Sequence, residues 1–315
     1  MQRAIVLFTV ITILIATQHT FAQENINKVA SFPELTGPYF GQTLHSSNPE
    51  IFAPTLLVKP KQAHSNIVFS ADGTKAYWCS NGILYSELIN DKWTSPVYVP
   101  FSSAEYSDDA PFLHPNGTQL FFTSKRAIND SDSTRKENIW VVDIMENGWS
   151  SPRVLPPVVN DTFQHWQFSV DANSNIYFGY REKGKDRDIV CCPYEEGEYK
   201  SAKSLGPAIN SEHTESNPFI SPEGDYIIFT RKNNERLENG RQNISLFISF
   251  LQKDGKWSES INLKKYLNFQ HVANCAIVTR NREYLFFLDI YEGKYQRFWI
   301  KADFLDDLQQ SNLFQ

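Results

Sequence analysis

Short apolar strands separated by turn residues recur along the chain. Five windows of nine residues align without gaps, and each joins a turn to an apolar, aromatic run: "SADGTKAYW" (70–78), "HPNGTQLFF" (114–122), "VDANSNIYF" (170–178), "SPEGDYIIF" (221–229) and "TRNREYLFF" (279–287). Asp-Gly, Asn-Gly and Glu-Gly tolerate the positive φ of a tight turn, and another short apolar strand precedes each window. Each window therefore predicts a β-hairpin.

Two further strands follow four of the windows. A third apolar strand such as "GILYSELI" leads to a turn that ends in an aromatic residue, and a short fourth strand such as "SPVYVP" comes next. The windows end at residues 78, 122, 178, 229 and 287. This spacing is typical of the four-stranded blades of a β-propeller with loops of variable length.

The fifth repeat lacks a fourth strand, and "IFAPTLLV" at 51–58 can supply it from the other end of the chain. Such a closure leaves no open sheet edge in the ring. We therefore predict an all-β fold, a single β-propeller of five blades closed by an N-terminal strand. Six blades is the alternative, if residues 34–42 add another. The predicted organisation is a signal peptide at 1–22, an extension at 23–50, the propeller at 51–304 and a polar tail at 305–315.

The turn sequences carry a family resemblance. "SPEG", "HPNG" and "SADG", followed by an aromatic strand, resemble the WD40-like repeats (Pro-Asp type) of TolB-type β-propellers. "NPEIFAP" is similar to the opening of a group of exported single-propeller proteins of Gram-negative bacteria. The resemblance covers nearly all of the mature chain. It implies the propeller fold and the docking of a partner in the cell envelope.

The first residues predict export. Arg3 precedes a mostly apolar run at 4–16, and "TQHTFA" places Thr20 and Ala22 at the spacing that signal peptidase recognises. We expect cleavage after Ala22 and a periplasmic or secreted monomer that does not span a membrane. The four cysteines, Cys79, Cys191, Cys192 and Cys275, form no C-x-x-C pair, which favours buried free thiols.

Charge separates the loops from the rest of the chain. The formal net charge is −6, which argues against nucleic acid as a partner. Three loops on one face of the predicted ring (124–138, 181–187 and 231–243) nevertheless hold twelve Lys and Arg against seven Asp and Glu. Arg126, Arg181 and Arg231 follow aromatic second strands, where a guanidinium can bind a carboxylate through two hydrogen bonds. We predict that these three arginines bind an anionic partner.

Polar residues also converge where the first strand of each blade begins. They are His64 with Ser65, Asp108 with Asp109, Gln164 with His165, Glu215 with Ser216, and His271 slightly earlier. Imidazoles and carboxylates from different blades can bind a divalent cation or act as acid and base, and they can equally cap turns. We expect no cofactor, with a divalent cation in the channel as the alternative, and we include His64 and His165 among the ligand-binding candidates.

Two functions follow from these features. The first is an exported binding or scaffold protein, without chemistry of its own, that recognises an envelope protein or an anionic glycan through its loops. The alternative is a polysaccharide-acting hydrolase or lyase with Asp108, Asp109 and Glu215 as catalytic carboxylates. No P-loop, G-x-S-x-G or H-E-x-x-H motif is present, which disfavours nucleotide, serine-hydrolase and zincin chemistry.

Overall fold

A computed structural model describes residues 32–54, 56–57, 65–162, 165–182, 184–236, 240, 242–267, 273–291 and 294–313. The predicted signal peptide, His64, Gln164 and His271 lie outside these residues. Residues 35–315 make up one compact unit.

Five antiparallel sheets form the blades, as the repeat predicts. The closing strand is β1 (Glu50–Ile51). Blade 1 contains β2 (Val68–Phe69), β3 (Lys75–Cys79), β4 (Ile83–Ile89), β5 (Lys92–Trp93) and β6 (Val97–Tyr98). Blade 2 contains β7 (Asp109–Leu113), β8 (Gln119–Ser124), β9 (Asn138–Met145), β10 (Gly148–Trp149) and β11 (Arg153–Val154).

The other three blades repeat this order. Blade 3 contains β12 (Ser169–Val170), β13 (Ile176–Arg181), β14 (Arg187–Cys192) and, beyond the small hairpin β15 (Tyr194–Glu195) and β16 (Glu198–Tyr199), β17 (Lys203–Ser204). Blade 4 contains β18 (Thr214–Ile220), β19 (Tyr226–Arg236), β20 (Gln242–Phe250) and β21 (Ile261–Asn262). Blade 5 contains β22 (Asn274–Val278), β23 (Tyr284–Tyr291) and β24 (Lys294–Lys301).

Five helical segments lie before, between and after the blades in the part of the chain that the structure describes. Two are 3₁₀ turns, at Tyr39–Gly41 and Ala104–Tyr106. Three are α-helical: α1 (Pro157–Asn160), α2 (Lys264–Leu267) and α3 (Phe304–Leu313). No helix within the described part of the chain is both long and apolar enough to cross a membrane.

The N-terminal strand closes the ring as predicted, over a shorter length. β1 pairs with β24, with Glu50 opposite Trp299 and Ile51 opposite Phe298. The strand ends there because Ala53 takes a left-handed φ of 44° and starts a turn. Residues 39–41, which the six-blade alternative needs in a strand, form a 3₁₀ turn instead, and the ring has five blades.

Aromatic side chains fill the seam between blades 5 and 1. Phe40 lies 4.3 Å from Trp93 and 6.2 Å from Phe52, and Phe52 lies 5.0 Å from Phe286 of blade 5 (ring centroids). Gly73 has a φ of +69°, and a Cβ there would lie 2.9 Å from the Tyr39 ring. Tyr39 and Phe40, which lie in the segment 23–50 predicted as an extension, therefore pack within the ring.

The segment predicted as a polar tail is the helix α3. Its apolar residues Leu305 and Leu308 lie on one face, three residues apart, and both are buried against blade 5. On the other side Gln309 accepts a hydrogen bond from Arg282 and donates one to Asp225 of blade 4. The tail was predicted from its polar composition, which hides the short apolar stripe that docks it.

Candidate functional site

The central channel is filled with apolar side chains below and open above. One core cluster buries Val68, Phe112, Phe219 and Ile277 of the first strands of blades 1, 2, 4 and 5, together with Phe168, which directly precedes the first strand of blade 3. Phe112 of blade 2 and Phe219 of blade 4 meet across the axis at 6.5 Å. Above this plug lies a cavity of about 880 Å³, lined mainly by polar residues. It opens between the loops that precede the first strands and those that join the second and third strands, here called the top face.

Hydrogen bonds between blades fix the floor of this cavity. From blade 1, Ser65 donates to Asp109 of blade 2, and Asn66 donates to the Cys275 carbonyl of blade 5. The Cys275 N–H donates to Thr230 of blade 4. From blade 3, the Gln167 N–H donates to Asn217 of blade 4, and the Gln167 side chain donates to the Ala276 carbonyl of blade 5. Blade 2 is joined to blade 3 by Glu137, which accepts the N–H groups of His165 and Trp166. The floor is therefore held by every blade and is preorganised.

The first strands carry a repeated backbone irregularity at this level. Ala110, Trp166, Asn217 and Cys275 occupy the same position in blades 2 to 5, and their φ angles are 48°, 54°, 51° and 52°. In blades 2, 4 and 5 the pairing register of the first strand shifts at this point, as at a β-bulge. Left-handed backbone in non-glycine residues costs roughly 1–3 kcal/mol each and is concentrated at functional sites.

Two of the arginines predicted to bind an anion, Arg126 and Arg231, instead form ion pairs inside the ring. Arg126 Nη2 lies 2.7 Å from Asp108 Oδ2 and also donates to the Phe101 carbonyl. The exposed fractions of the two side chains are 12% and 0%. Asp108, a predicted catalytic acid, is thus the internal partner of Arg126.

The same arrangement recurs in blade 4. Arg231 Nε lies 2.7 Å from Glu215 Oε1, with 12% and 0% of the side chains exposed, and Arg231 also donates to the Ile209 carbonyl. Burial raises the pKa of Glu215, while Ser211 and Arg231 lower it. These contacts favour a structural role for both ion pairs.

Three other cations face the cavity at equivalent positions. Lys125, Arg181 and Lys232 each come three residues after the aligned window of blades 2, 3 and 4, and all line the cavity. Among the described residues, none of the three has a carboxylate within 4.0 Å. Arg231 and Lys232 are consecutive in β19, so their side chains point to opposite faces of the strand. The sequence analysis chose the neighbouring Arg126 and Arg231 instead of Lys125 and Lys232. The shared position of Lys125, Arg181 and Lys232 in the aligned repeats could have identified the two lysines.

Comparisons with known proteins identify the fold. No family model matches the sequence, and no curated protein sequence matches it significantly. A putative TolB from Agrobacterium tumefaciens has a TM-score of 0.50 at 13% identity, over 76% of this chain and 77% of that one. At this identity the likeness concerns the propeller fold alone.

Other solved propellers match more distantly. An exo-1,5-alpha-L-arabinanase from a bovine ruminal metagenomic library has a TM-score of 0.42 at 12% identity, over 74% of this chain and 91% of that one. An oligogalacturonate lyase from Vibrio parahaemolyticus has a TM-score of 0.37 at 10% identity, over 75% and 76%. At such identities a likeness concerns the fold alone.

Besides Asp108, three carboxylates line the cavity: Asp109, Glu137 and Asp186, the last of which accepts a hydrogen bond from Thr214. Asp109 lines it, and its Oδ1 accepts hydrogen bonds from Ser65 and from the Ala110 N–H. Glu137, which the sequence analysis did not single out, also lines it. Burial raises the pKa of Glu137, partly offset by the His165 and Trp166 N–H groups and by Lys125.

His165 lies beneath the cavity surface. Its ring is 1% exposed, packs 5.2 Å from Phe178, and places Nε2 3.0 Å from the Val159 carbonyl. Burial lowers its pKa to about 4. Within the described ranges, no three His, Cys, Asp or Glu side chains are grouped as a metal ion would require. The four cysteines are free thiols, and Cys191 is the least buried of them.

Proposed function

We propose that this protein binds an anionic ligand, a glycan or an acidic segment of an envelope protein, in the cavity at the top of its propeller. The observation that carries the proposal is the array of Lys125, Arg181 and Lys232 on three successive blades. A cation that has no internal acid partner keeps its charge available to a ligand, whereas Arg126 and Arg231 have given theirs to Asp108 and Glu215. We further propose that the protein works in the periplasm or outside the cell.

The shape of the site supports a ligand that enters the ring. A cavity of about 880 Å³ is within the range of about 300–1,000 Å³ that is usual for small-molecule sites. Low-dielectric walls around such a cleft strengthen the attraction between its cations and an anion. We infer that the ligand is a short oligomer or the end of a longer chain.

A polysaccharide-acting hydrolase or lyase is the second candidate, and Glu137 is the observation that favours it. A buried carboxyl whose pKa is raised can act as a general acid beside a second carboxylate. Asp109 and Glu137 both line the cavity, and burial raises the pKa of Glu137. Asp108 and Glu215 are committed to Arg126 and Arg231 and have no part in this version of the site.

Calorimetric titration of the purified chain tests the proposal. The ligand panel contains acidic oligosaccharides, their neutral counterparts and acidic peptides, each at low and at high salt. We expect an acidic ligand to bind, more weakly at high salt because exposed charges are screened. Arg181→Glu should abolish this binding, and Lys256→Glu, on an exposed outer turn, should leave it unchanged.

Two results would contradict the proposal: an absence of binding to every acidic ligand, or equal binding by the Arg181→Glu variant. Product analysis of the same mixtures examines the second candidate. Cleavage that disappears in both Asp109→Asn and Glu137→Gln would establish the enzyme.

A further inference from the structure

Trp166 stands exposed at the cavity in a strained conformation. Its side chain lines the cavity with 43% of the residue surface exposed, and its φ is 54°. A left-handed backbone is a genuine outlier for a bulky residue. Exposure of an indole and strain at the same residue both oppose folding stability, so the surrounding structure must hold Trp166 in place.

Glu137 provides the first restraint. One carboxylate oxygen accepts the N–H groups of both His165 and Trp166, at 2.8 and 3.2 Å. These bonds fix the backbone on either side of the left-handed residue. His165 itself is anchored in the core beside Phe178.

Arg187 provides the second restraint. Its guanidinium carbon lies 4.3 Å from the centroid of the Trp166 ring, and Nη1 donates to the Gly179 carbonyl at 2.9 Å. The arginine lies across Gly179, where an added Cβ would be 2.5 Å from Arg187 Cδ. Blades 2 and 4 have Thr123 and Thr230 at the position of Gly179. The glycine makes room for an arginine that supports the indole.

We propose that Trp166 is the stacking platform for one pyranose ring of an acidic oligosaccharide, whose carboxylate pairs with Arg181. This inference rests on the proposed function and assigns its ligand to the glycan class. The flat apolar face of a sugar matches an indole, and the planar guanidinium of Arg181 matches a carboxylate. Hydroxyl and amide groups of Ser107, Thr214, Ser216 and Gln242 line the same cavity and suit sugar hydroxyls.

The position of Arg181 is consistent with a shared ligand. Arg181 and Arg187 are directly opposite each other in the pairing of β13 with β14. Arg187 contacts the indole, and Arg181 lies at the cavity next to it. One acidic sugar residue can therefore contact Trp166 and Arg181 together. An acidic peptide would use the cations but has no need of a fixed, exposed aromatic face.

The experiment measures affinity and tryptophan emission with di- and trisaccharides of hexuronic acids. Neutral glucose oligomers, sulfated disaccharides and an oligo-glutamate peptide complete the panel. We expect the wild type to prefer the hexuronate trisaccharide and to change its emission on binding. Trp166→Ala should weaken that affinity at least tenfold, and Trp166→Tyr should retain it within about threefold, because a phenol also offers a stacking face.

Controls separate this inference from the proposed function. Tyr98→Ala removes an aromatic residue that is 52% exposed on blade 1, outside the cavity, and should leave affinity unchanged. Hexuronate binding that is equal in wild type and folded Trp166→Ala would overturn the inference, as would a preference for sulfated sugars or the peptide. Each of those results would still support the proposed function, binding of an anion at the cavity. An absence of binding to every acidic probe would overturn both.

Discussion

Blades 3 and 4 each have an arginine in the second strand, and the two arginines have different surroundings. In blade 4, Arg231 is paired with Glu215 and almost completely buried. In blade 3, Arg181 is exposed at the cavity, and the position equivalent to Glu215 is the uncharged Gln164. Blade 2 follows blade 4, with Asp108 and Arg126. In blades 2 and 4 the acid before the first strand therefore holds an arginine inside the ring, while the cation three residues after the aligned window faces the cavity in blades 2, 3 and 4.

Blade 3 compensates for the missing ion pair with other contacts. His165 is buried as a neutral ring, and Arg187 lies across Gly179 beneath the indole of Trp166. The part of the ring that lacks the pair is therefore also the part that presents an aromatic side chain and an available cation. Blade 3 therefore adds an exposed indole to the cations that blades 2, 3 and 4 all present at the cavity.

The largest effect is expected when the pair of blade 4 is broken. Arg231→Met leaves the carboxylate of Glu215 buried without its cation, and loss of one partner of a buried pair costs about 3–5 kcal/mol. Urea unfolding of the variant should show a loss of this size. Arg153→Met is the matched control, because Arg153 and Asp143 are 51% and 42% exposed and such pairs contribute up to about 1 kcal/mol. Equal losses in the two variants would remove the distinction between internal and surface pairs.

Blade 3 should instead be sensitive to acid through His165. Its folded pKa of about 4 is below the ordinary value of 6.5, so the unfolded chain takes up a proton before the folded chain does. Neutral His165 therefore contributes roughly 3 kcal/mol to the free energy of unfolding above pH 6.5, and this contribution is lost as the pH falls towards 4. His165→Gln keeps an N–H donor for Val159 and should lose this part of the pH dependence. Unfolding free energies at pH 7 and 4.5 measure it, and parallel curves for variant and wild type would contradict it.

Gly179→Ala tests the support of the indole. The added Cβ would overlap Arg187 Cδ, and such overpacking costs about 1–3 kcal/mol. In the double variant with Arg187→Ala the clash is absent, so the double change should destabilise less than the sum of the two single changes. The four unfolding free energies of this cycle give the coupling. Additive changes would show that Gly179 and Arg187 do not depend on each other.

The smallest effect on stability is expected at the cavity cations. Lys232→Gln removes a charge that has no internal partner among the described residues, so the free energy of unfolding should change by less than about 0.5 kcal/mol. Arg231→Met, one residue away on the same strand, provides the contrast. A loss of several kcal/mol in Lys232→Gln would place this lysine in the framework of the propeller.

The sequence predicts the architecture well because blades repeat. Hairpin turns and apolar strands recur at a similar spacing, and local chemistry suffices to count five blades and to find the closing strand. The helix α3 was not predicted because its two buried leucines, Leu305 and Leu308, form too short an apolar pattern in a polar segment. The left-handed backbone of Ala110, Trp166, Asn217 and Cys275 has no common residue type that would indicate it.

Binding of an anion at the predicted loops stays a prediction, and two of the three predicted arginines are next in sequence to the lysines that line the cavity. Anionic recognition by loops 124–138, 181–187 and 231–243 remains the proposal, and Arg181 lies at the cavity. Arg126 and Arg231 were chosen for their residue type, but Arg231 points to the face of β19 opposite Lys232 and pairs with Glu215, and Arg126, just beyond β8, pairs with Asp108. Which of two adjacent cations faces the channel depends on strand register, and a motif cannot show it.

The central claim is that Lys125, Arg181 and Lys232 bind the ligand. The most direct test is the calorimetric affinity of the triple variant Lys125→Gln/Arg181→Gln/Lys232→Gln for the acidic ligand that the wild type prefers. A second triple variant, Lys92→Gln/Lys200→Gln/Lys256→Gln, makes the same charge change on outer hairpins of the blades. We predict that the cavity variant stays folded and loses binding at least a hundredfold, while the control binds within about threefold of wild type, because long-range charge alone is screened. Equal affinities of the two variants would contradict the claim.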